Sequence, residues 1–109
     1  MSDRRTLVAL AAALSTMLVS ACQATPLPRV DADWAMAAAD LGVTLDELER
    51  GRALLATDCA ACHIAVHPSE LTLEDWDEVL PRMLQKAQLE ARHGQAIRAY
   101  VVTASNRAR

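Results

Sequence analysis

Two cysteines and a histidine stand together in a spacing that can hold haem covalently. Cys59, Cys62 and His63 form the pattern C-x-x-C-H, which is typical of covalent haem attachment. Two thiols that add across the vinyl groups of haem form thioether bonds, and the adjacent imidazole can then ligate the iron. The two residues between the cysteines are alanines, small enough for the turn to lie against the porphyrin edge. We therefore predict one covalent haem c on Cys59 and Cys62, with His63 as an iron ligand.

Other chemistries of paired cysteines fit this chain less well. A thioredoxin-type C-x-x-C lies between a strand and a helix, and no stretch of this sequence has the pattern of a strand. A zinc site needs four ligands, and His67 would supply only part of the missing set. A disulfide across a two-residue gap is strained. The export signal described next also favours haem.

The N-terminus has the pattern of an export signal. Arg4 and Arg5 precede an apolar run over 7–19, and the small-residue sequence V-S-A-C then ends at Cys22. The run is shorter than the roughly 20 residues that a membrane-spanning helix needs. Its ending resembles a bacterial lipobox, where cleavage leaves the cysteine first and its thiol carries lipid. We predict a lipoprotein signal peptide over 1–21. A plain secretory cleavage site or an uncleaved anchor is the alternative.

Lipidation would also account for the odd cysteine. The chain has three cysteines, and in an oxidising compartment an odd number leaves one thiol unpaired. Lipid on Cys22, with haem on Cys59 and Cys62, uses all three. We therefore expect the protein on the periplasmic side of a bacterial membrane, anchored by lipid.

Composition predicts a small acidic domain with a thin core. Removal of residues 1–21 leaves 13 acidic and 9 basic residues, so nucleic acid is not expected as a partner. The chain has no Phe, two Trp and one Tyr, and a domain this small has little core of its own. We expect a buried porphyrin to supply the missing apolar mass.

Helical patterns cover the rest of the chain and predict an all-α fold of about three helices. Residues 22–43 read as a tether with a possible short helix, and residues 44–109 as the haem domain. Two threonines begin helices with T-x-x-E/D capping boxes, Thr44 with Glu47 and Thr72 with Asp75. The three predicted helices cover 44–57, 72–87 and 89–104.

One break is predicted within these helices, and a polar tail beyond the last of them. Pro81 lacks a backbone donor, so we expect the second helix to kink or restart there. The polar residues 105–109 are expected to fray.

Taken together, residues 45–104 resemble a small class I c-type cytochrome. In that family a glycine lies eight residues before the first haem cysteine and an apolar residue four before it, as Gly51 and Leu55 do here. An apolar residue and an aromatic one, three apart on the C-terminal helix, contact that glycine in the family. Ile97 and Tyr100 match this pair. Pro68 matches the proline whose neighbourhood orients the haem histidine.

The resemblance also implies a distal methionine ligand ahead of the C-terminal helix. Met83 is the only methionine after the haem motif and stands 17 residues before Tyr100, so we predict it as the second iron ligand. His93 is the main alternative, and Met36 a weaker one. His67 is too close to His63, because four residues at about 3.5 Å each cannot pass round the porphyrin to its other face.

These features predict an electron carrier with one haem and transient redox partners. An enzyme acting alone, or a protein with a small-molecule substrate, is not expected, because no catalytic constellation accompanies the haem motif. A gas or redox sensor with an open sixth iron position is the first alternative. A haem subunit or assembly factor of a larger redox enzyme is the second.

Overall fold

The computed structural model describes residues 25–109, and every regular element in that range is helical. The predicted all-α fold is therefore confirmed. Four α-helices form, rather than about three: α1 (Ala32–Ala38), α2 (Leu45–Ala56), α3 (Leu73–Ala87) and α4 (Ala91–Arg107). Short 3₁₀ turns cover Ala39–Leu41, Cys59–Ala61 and Pro68–Glu70. The predicted signal peptide over 1–21 and Cys22 lie outside the described residues.

None of the helices within residues 25–109 combines the length and the apolar character needed to cross a membrane.

Helix α2 begins and ends close to the predicted residues. The Thr44 hydroxyl accepts a hydrogen bond from the backbone N–H of Glu47 at 3.2 Å, which satisfies one of the free donors of the first turn. Leu48, Gly51 and Leu55 are buried on one face, as their helical spacing predicts. This face packs against α4.

Gly51 makes the crossing of α2 and α4 close. A Cβ atom placed on Gly51 would lie 2.6 Å from the carbonyl carbon of Ala96 and 3.0 Å from Cβ of Tyr100. Only a residue without a side chain fits there. The predicted contact between Gly51 and Tyr100 is confirmed.

Helix α3 runs through its proline. The predicted capping box of Thr72 and Asp75 is complete, and Trp76 and Leu80 are buried on the following turns. The structure shows no restart at Pro81, which lies inside the single helix Leu73–Ala87. Pro81 removes one hydrogen-bond donor from the helix and crowds the carbonyl of Asp77. The capping box and the packing of the turns before the proline offset this cost.

Helix α4 is longer than predicted. It continues to Arg107. The fraying predicted for residues 105–109 therefore does not occur at residues 105–107, which are helical. Thr103 and Ala104 are buried, and the Arg107 guanidinium lies 5.5 Å from the centre of the Trp34 ring, a favourable cation–π distance. The last turn therefore has tertiary contacts that the sequence pattern does not show.

Candidate haem-binding site

The two haem-motif cysteines follow directly on α2. The helix is capped by Thr57, and the turn Cys59–Ala61 comes next. Cys59 is buried, Cys62 is exposed, and both are free thiols. Because the crossing at Gly51 fixes α2 against α4, it also fixes the point from which this turn leaves the helix.

Burial controls the ionisation of the first thiol. Burial raises the pKa of Cys59, and the nearby charge of Asp58 raises it further. A thiol held protonated is a poor metal ligand and reacts slowly in disulfide exchange.

The imidazole of His63 is oriented for ligation through one nitrogen. Its Nδ1 lies 2.7 Å from the carbonyl oxygen of Ile64. A carbonyl can only accept, so Nδ1 carries the hydrogen and Nε2 keeps its lone pair free. A metal-bound histidine usually donates its other N–H in this way. The residues present therefore fit a haem whose iron is bound by Nε2.

The orienting group differs from the predicted one. Pro68 was expected to lie where the second nitrogen of His63 is held, and Ile64 holds it instead. The Pro68 carbonyl accepts a hydrogen bond from the indole nitrogen of Trp76 at 3.1 Å. Pro68 therefore connects its loop to α3.

A cleft brings the predicted distal ligand to the haem motif. Met83 of α3 lines the same cleft as Cys59, Cys62 and His63. The cleft is completed by Asp58, Lys86 and Ala87. Its volume is about 70 Å³, below the roughly 300–1,000 Å³ of sites that enclose a ligand. The cleft alone is therefore too small to enclose a porphyrin, and the expected burial of the porphyrin stays a prediction.

The three alternative ligands are not among the residues that line this cleft. His67 instead caps the turn Pro68–Glu70, where its Nδ1 accepts from the backbone N–H of Ser69 at 3.2 Å. Met36 is 69% exposed on α1. His93 lies in the first turn of α4, with a buried Nδ1 that has no hydrogen-bond partner among residues 25–109. Ligation by Met83 stays a prediction that the cleft supports.

Sequence reasoning missed four members of the site, which are Asp58, Ala87, Lys86 and the Ile64 carbonyl. Lys86 is the only lysine of the chain, and its spacing of three from Met83 puts both on one helix face, which could have identified it. The Ile64 carbonyl had no such signal, because any residue offers a carbonyl and only the local backbone turns it towards His63.

One comparison with known proteins gives a match. Residues 55–109 match the family described as dihaem cytochrome c, a range that contains the haem motif, α3 and α4. Comparison with curated proteins and with solved structures gives no match.

The match covers half of the chain. It confirms that the protein is a c-type cytochrome, with covalently bound haem c and haem-based electron transfer. Membership of class I and the presence of a single haem stay predictions. The chain belongs to the dihaem cytochrome c family.

Proposed function

We propose that this protein is a periplasmic, lipid-anchored electron carrier with one covalent haem. The observation that carries the proposal is the shared cleft, in which Met83 faces the same space as Cys59, Cys62 and His63. Met83 on α3 thus offers a soft sulfur ligand. Beside it, the haem motif offers two thiols and the oriented imidazole of His63.

The cysteine count supports a single covalent haem, although the family is described as dihaem. The sequence contains one C-x-x-C-H motif, and its only other cysteine, Cys22, stands 37 residues before Cys59. A second haem attached in the same way would need two more thiols.

The chain's own residues would set the properties of the site. When bound, haem supplies an iron that alternates between ferric and ferrous states. His63 would bind the iron through Nε2, and a thioether from Met83 would favour the ferrous state and raise the reduction potential. With both residues as ligands, the iron would have no place for a substrate or gas. This favours an electron carrier over an enzyme or a sensor.

The anchor and the partners follow from the N-terminal pattern and from charge. A lipidated Cys22 would hold the protein on the periplasmic face of a membrane, since several acyl chains bind stably where one is marginal. An exposed haem-motif side suits brief contacts with redox proteins, whose interfaces are small. The acidic mature chain does not suit nucleic acid.

A redox titration of the purified full-length protein, followed by absorption, tests the electron-carrier proposal. We expect one wave of one electron, one haem per chain, and a reduced form that does not bind carbon monoxide. Two waves, or two haems per chain, would contradict the single site. Carbon monoxide binding by the wild type would favour the sensor.

Membrane fractionation tests the anchor separately. Cys22→Ser should move the holoprotein from the membrane to the soluble fraction, whereas Ser20→Ala, which leaves the cysteine in place, should not. An unlipidated N-terminus in the mass of the wild type would contradict the proposal.

A further inference from the structure

The segment before α2 is fastened to the haem domain near the first residues that the structure describes. Arg52 of α2 donates from Nε to the carbonyl of Pro28 at 2.9 Å and from Nη2 to that of Leu27 at 3.2 Å. The Tyr100 hydroxyl of α4 donates to the same Pro28 carbonyl at 2.8 Å. Two helices therefore hold two neighbouring carbonyls of a segment that the sequence predicts to be a tether.

Side-chain packing fastens the same segment a second time. The Trp34 ring stacks on Tyr100 with centroids 5.5 Å apart and planes 11° apart, and Arg107 lies over Trp34. Leu27 and Ala38 are buried on the same side. Burying a large aromatic side chain stabilises a fold more than a typical hydrogen bond does. We call residues 27–41, with Arg52 and Tyr100, the N-terminal clasp.

The clasp shortens the connection between Cys22 and the domain. A tether over 22–43 would reach about 75 Å when fully extended and span about 26 Å on average as a flexible coil. With the clasp closed, Leu27 is five positions after Cys22, and a connection of that length reaches at most about 18 Å. Arg52 lies on α2, and Cys59, seven residues later, lies just beyond the end of that helix. The haem motif is therefore close to the point at which the N-terminal segment is fastened.

We propose that the N-terminal clasp holds the haem domain close to the membrane, so that its redox partner presents its own redox centre at the membrane surface. The proposal rests on the lipid anchor at Cys22 proposed above. A partner whose centre lies several tens of ångströms from the lipid would be reached only by a free tether.

Energy transfer from a fluorescent lipid to the haem measures this distance in vesicles that carry the lipidated holoprotein. The clasp variant is Arg52→Ala with Trp34→Ala, and the control is Arg50→Ala, an exposed arginine of the same helix. We expect severalfold less transfer in the clasp variant and unchanged transfer in the control. Equal transfer in wild type and clasp variant would overturn the proposal.

Two further measurements keep the result interpretable. A long Gly/Ser insertion between Ala24 and Thr25 leaves the clasp residues untouched and should also lower transfer severalfold. This result would not depend on the folding of the clasp variant.

In the unlipidated Cys22→Ser protein, trypsin should cut after Arg29 faster in the clasp variant than in wild type. Equal cutting would refute the clasp itself, whereas wild-type protein that fails to bind vesicles would refute only the anchor.

Discussion

Met83 and His63 approach one cleft from different elements, and each offers the iron one atom. His63 is exposed, yet its ring is fixed by the Ile64 carbonyl at 2.7 Å. Met83 is half-buried on α3 and lines the cleft. A flexible thioether can adapt to irregular space, which suits a ligand that must meet the iron after attachment has fixed the porphyrin.

Met83→Ala should open the sixth iron position. Without the thioether the reduction potential should fall, and the reduced protein should bind carbon monoxide. Absorption spectra and a redox titration of the holoprotein check both effects. His93→Ala is the matched control, because His93 does not line the cleft. A spectrum that changes only in His93→Ala would mean that the iron has two histidine ligands.

Tyr100 offers a clean pH measurement, since it is the only tyrosine of the chain. Burial raises its pKa to about 12, and the charge of Arg52 lowers it only in part. Below the ordinary value of about 10, both folded and unfolded states keep the proton. Between about 10 and the folded value of about 12 only the unfolded state loses it, so stability falls as pH rises.

We therefore expect the tyrosinate absorbance of the folded protein to rise near pH 12, and stability to fall already between about pH 10 and that value. Tyr100→Phe should remove this pH dependence. It should cost about 0.5–1.5 kcal/mol at neutral pH, because Arg52 still donates to the Pro28 carbonyl. A wild-type titration at the ordinary pKa of tyrosine would show that the hydroxyl is not buried on Pro28.

Among the elements, the crossing of α2 and α4 allows a comparison of two glycines. A Cβ on Gly51 would meet the Ala96 backbone, whereas one on Gly94 would meet the end of the flexible Leu84 side chain. Replacing glycine by alanine in a helix raises the free energy of unfolding by about 1 kcal/mol, whereas overpacking lowers it by about 1–3 kcal/mol. The Ala96 backbone cannot move aside for the new methyl group as the Leu84 side chain can.

Gly51→Ala should therefore lower the free energy of unfolding by up to about 2 kcal/mol, and Gly94→Ala should stay within about 1 kcal/mol of wild type. Thermal or denaturant unfolding of the two holoproteins measures the difference. Equal stabilities would mean that the helices do not approach at Gly51 as closely as the structure shows.

Local signals explain which elements could be predicted. Thr44 and Thr72 mark helix starts because a hydroxyl that caps a helix acts within four residues. The C-x-x-C-H motif identifies its site because all three groups act within five residues. Gly51 and Tyr100 could be paired because the resembled cytochromes bring such residues together.

Contacts between distant residues explain what could not be predicted. Arg52 reads as a surface charge in the sequence, and its acceptors lie 24 and 25 residues away. The last turn of α4 likewise contacts Trp34, which lies far away in the sequence. Neither contact has a local pattern.

At the scale of the whole molecule, the fold places its haem motif at an edge. The core forms where α1, α2, α3 and α4 meet, while Cys62, His63 and Ile64 are exposed, Ile64 by 73%. A large exposed apolar side chain beside the motif suits contact with a porphyrin. The domain thus combines a buried first cysteine with an exposed second cysteine and histidine.

Covalent attachment at Cys59 and Cys62 is the central claim, and extraction with acidified ketone followed by mass spectrometry tests it directly. The wild-type chain should keep its colour, and its mass should exceed that of the mature polypeptide and its lipid by one haem. Cys59→Ala and Cys62→Ala should each weaken or abolish this retention. Haem that extracts freely from the wild type, leaving a colourless chain without added haem mass, would contradict the account.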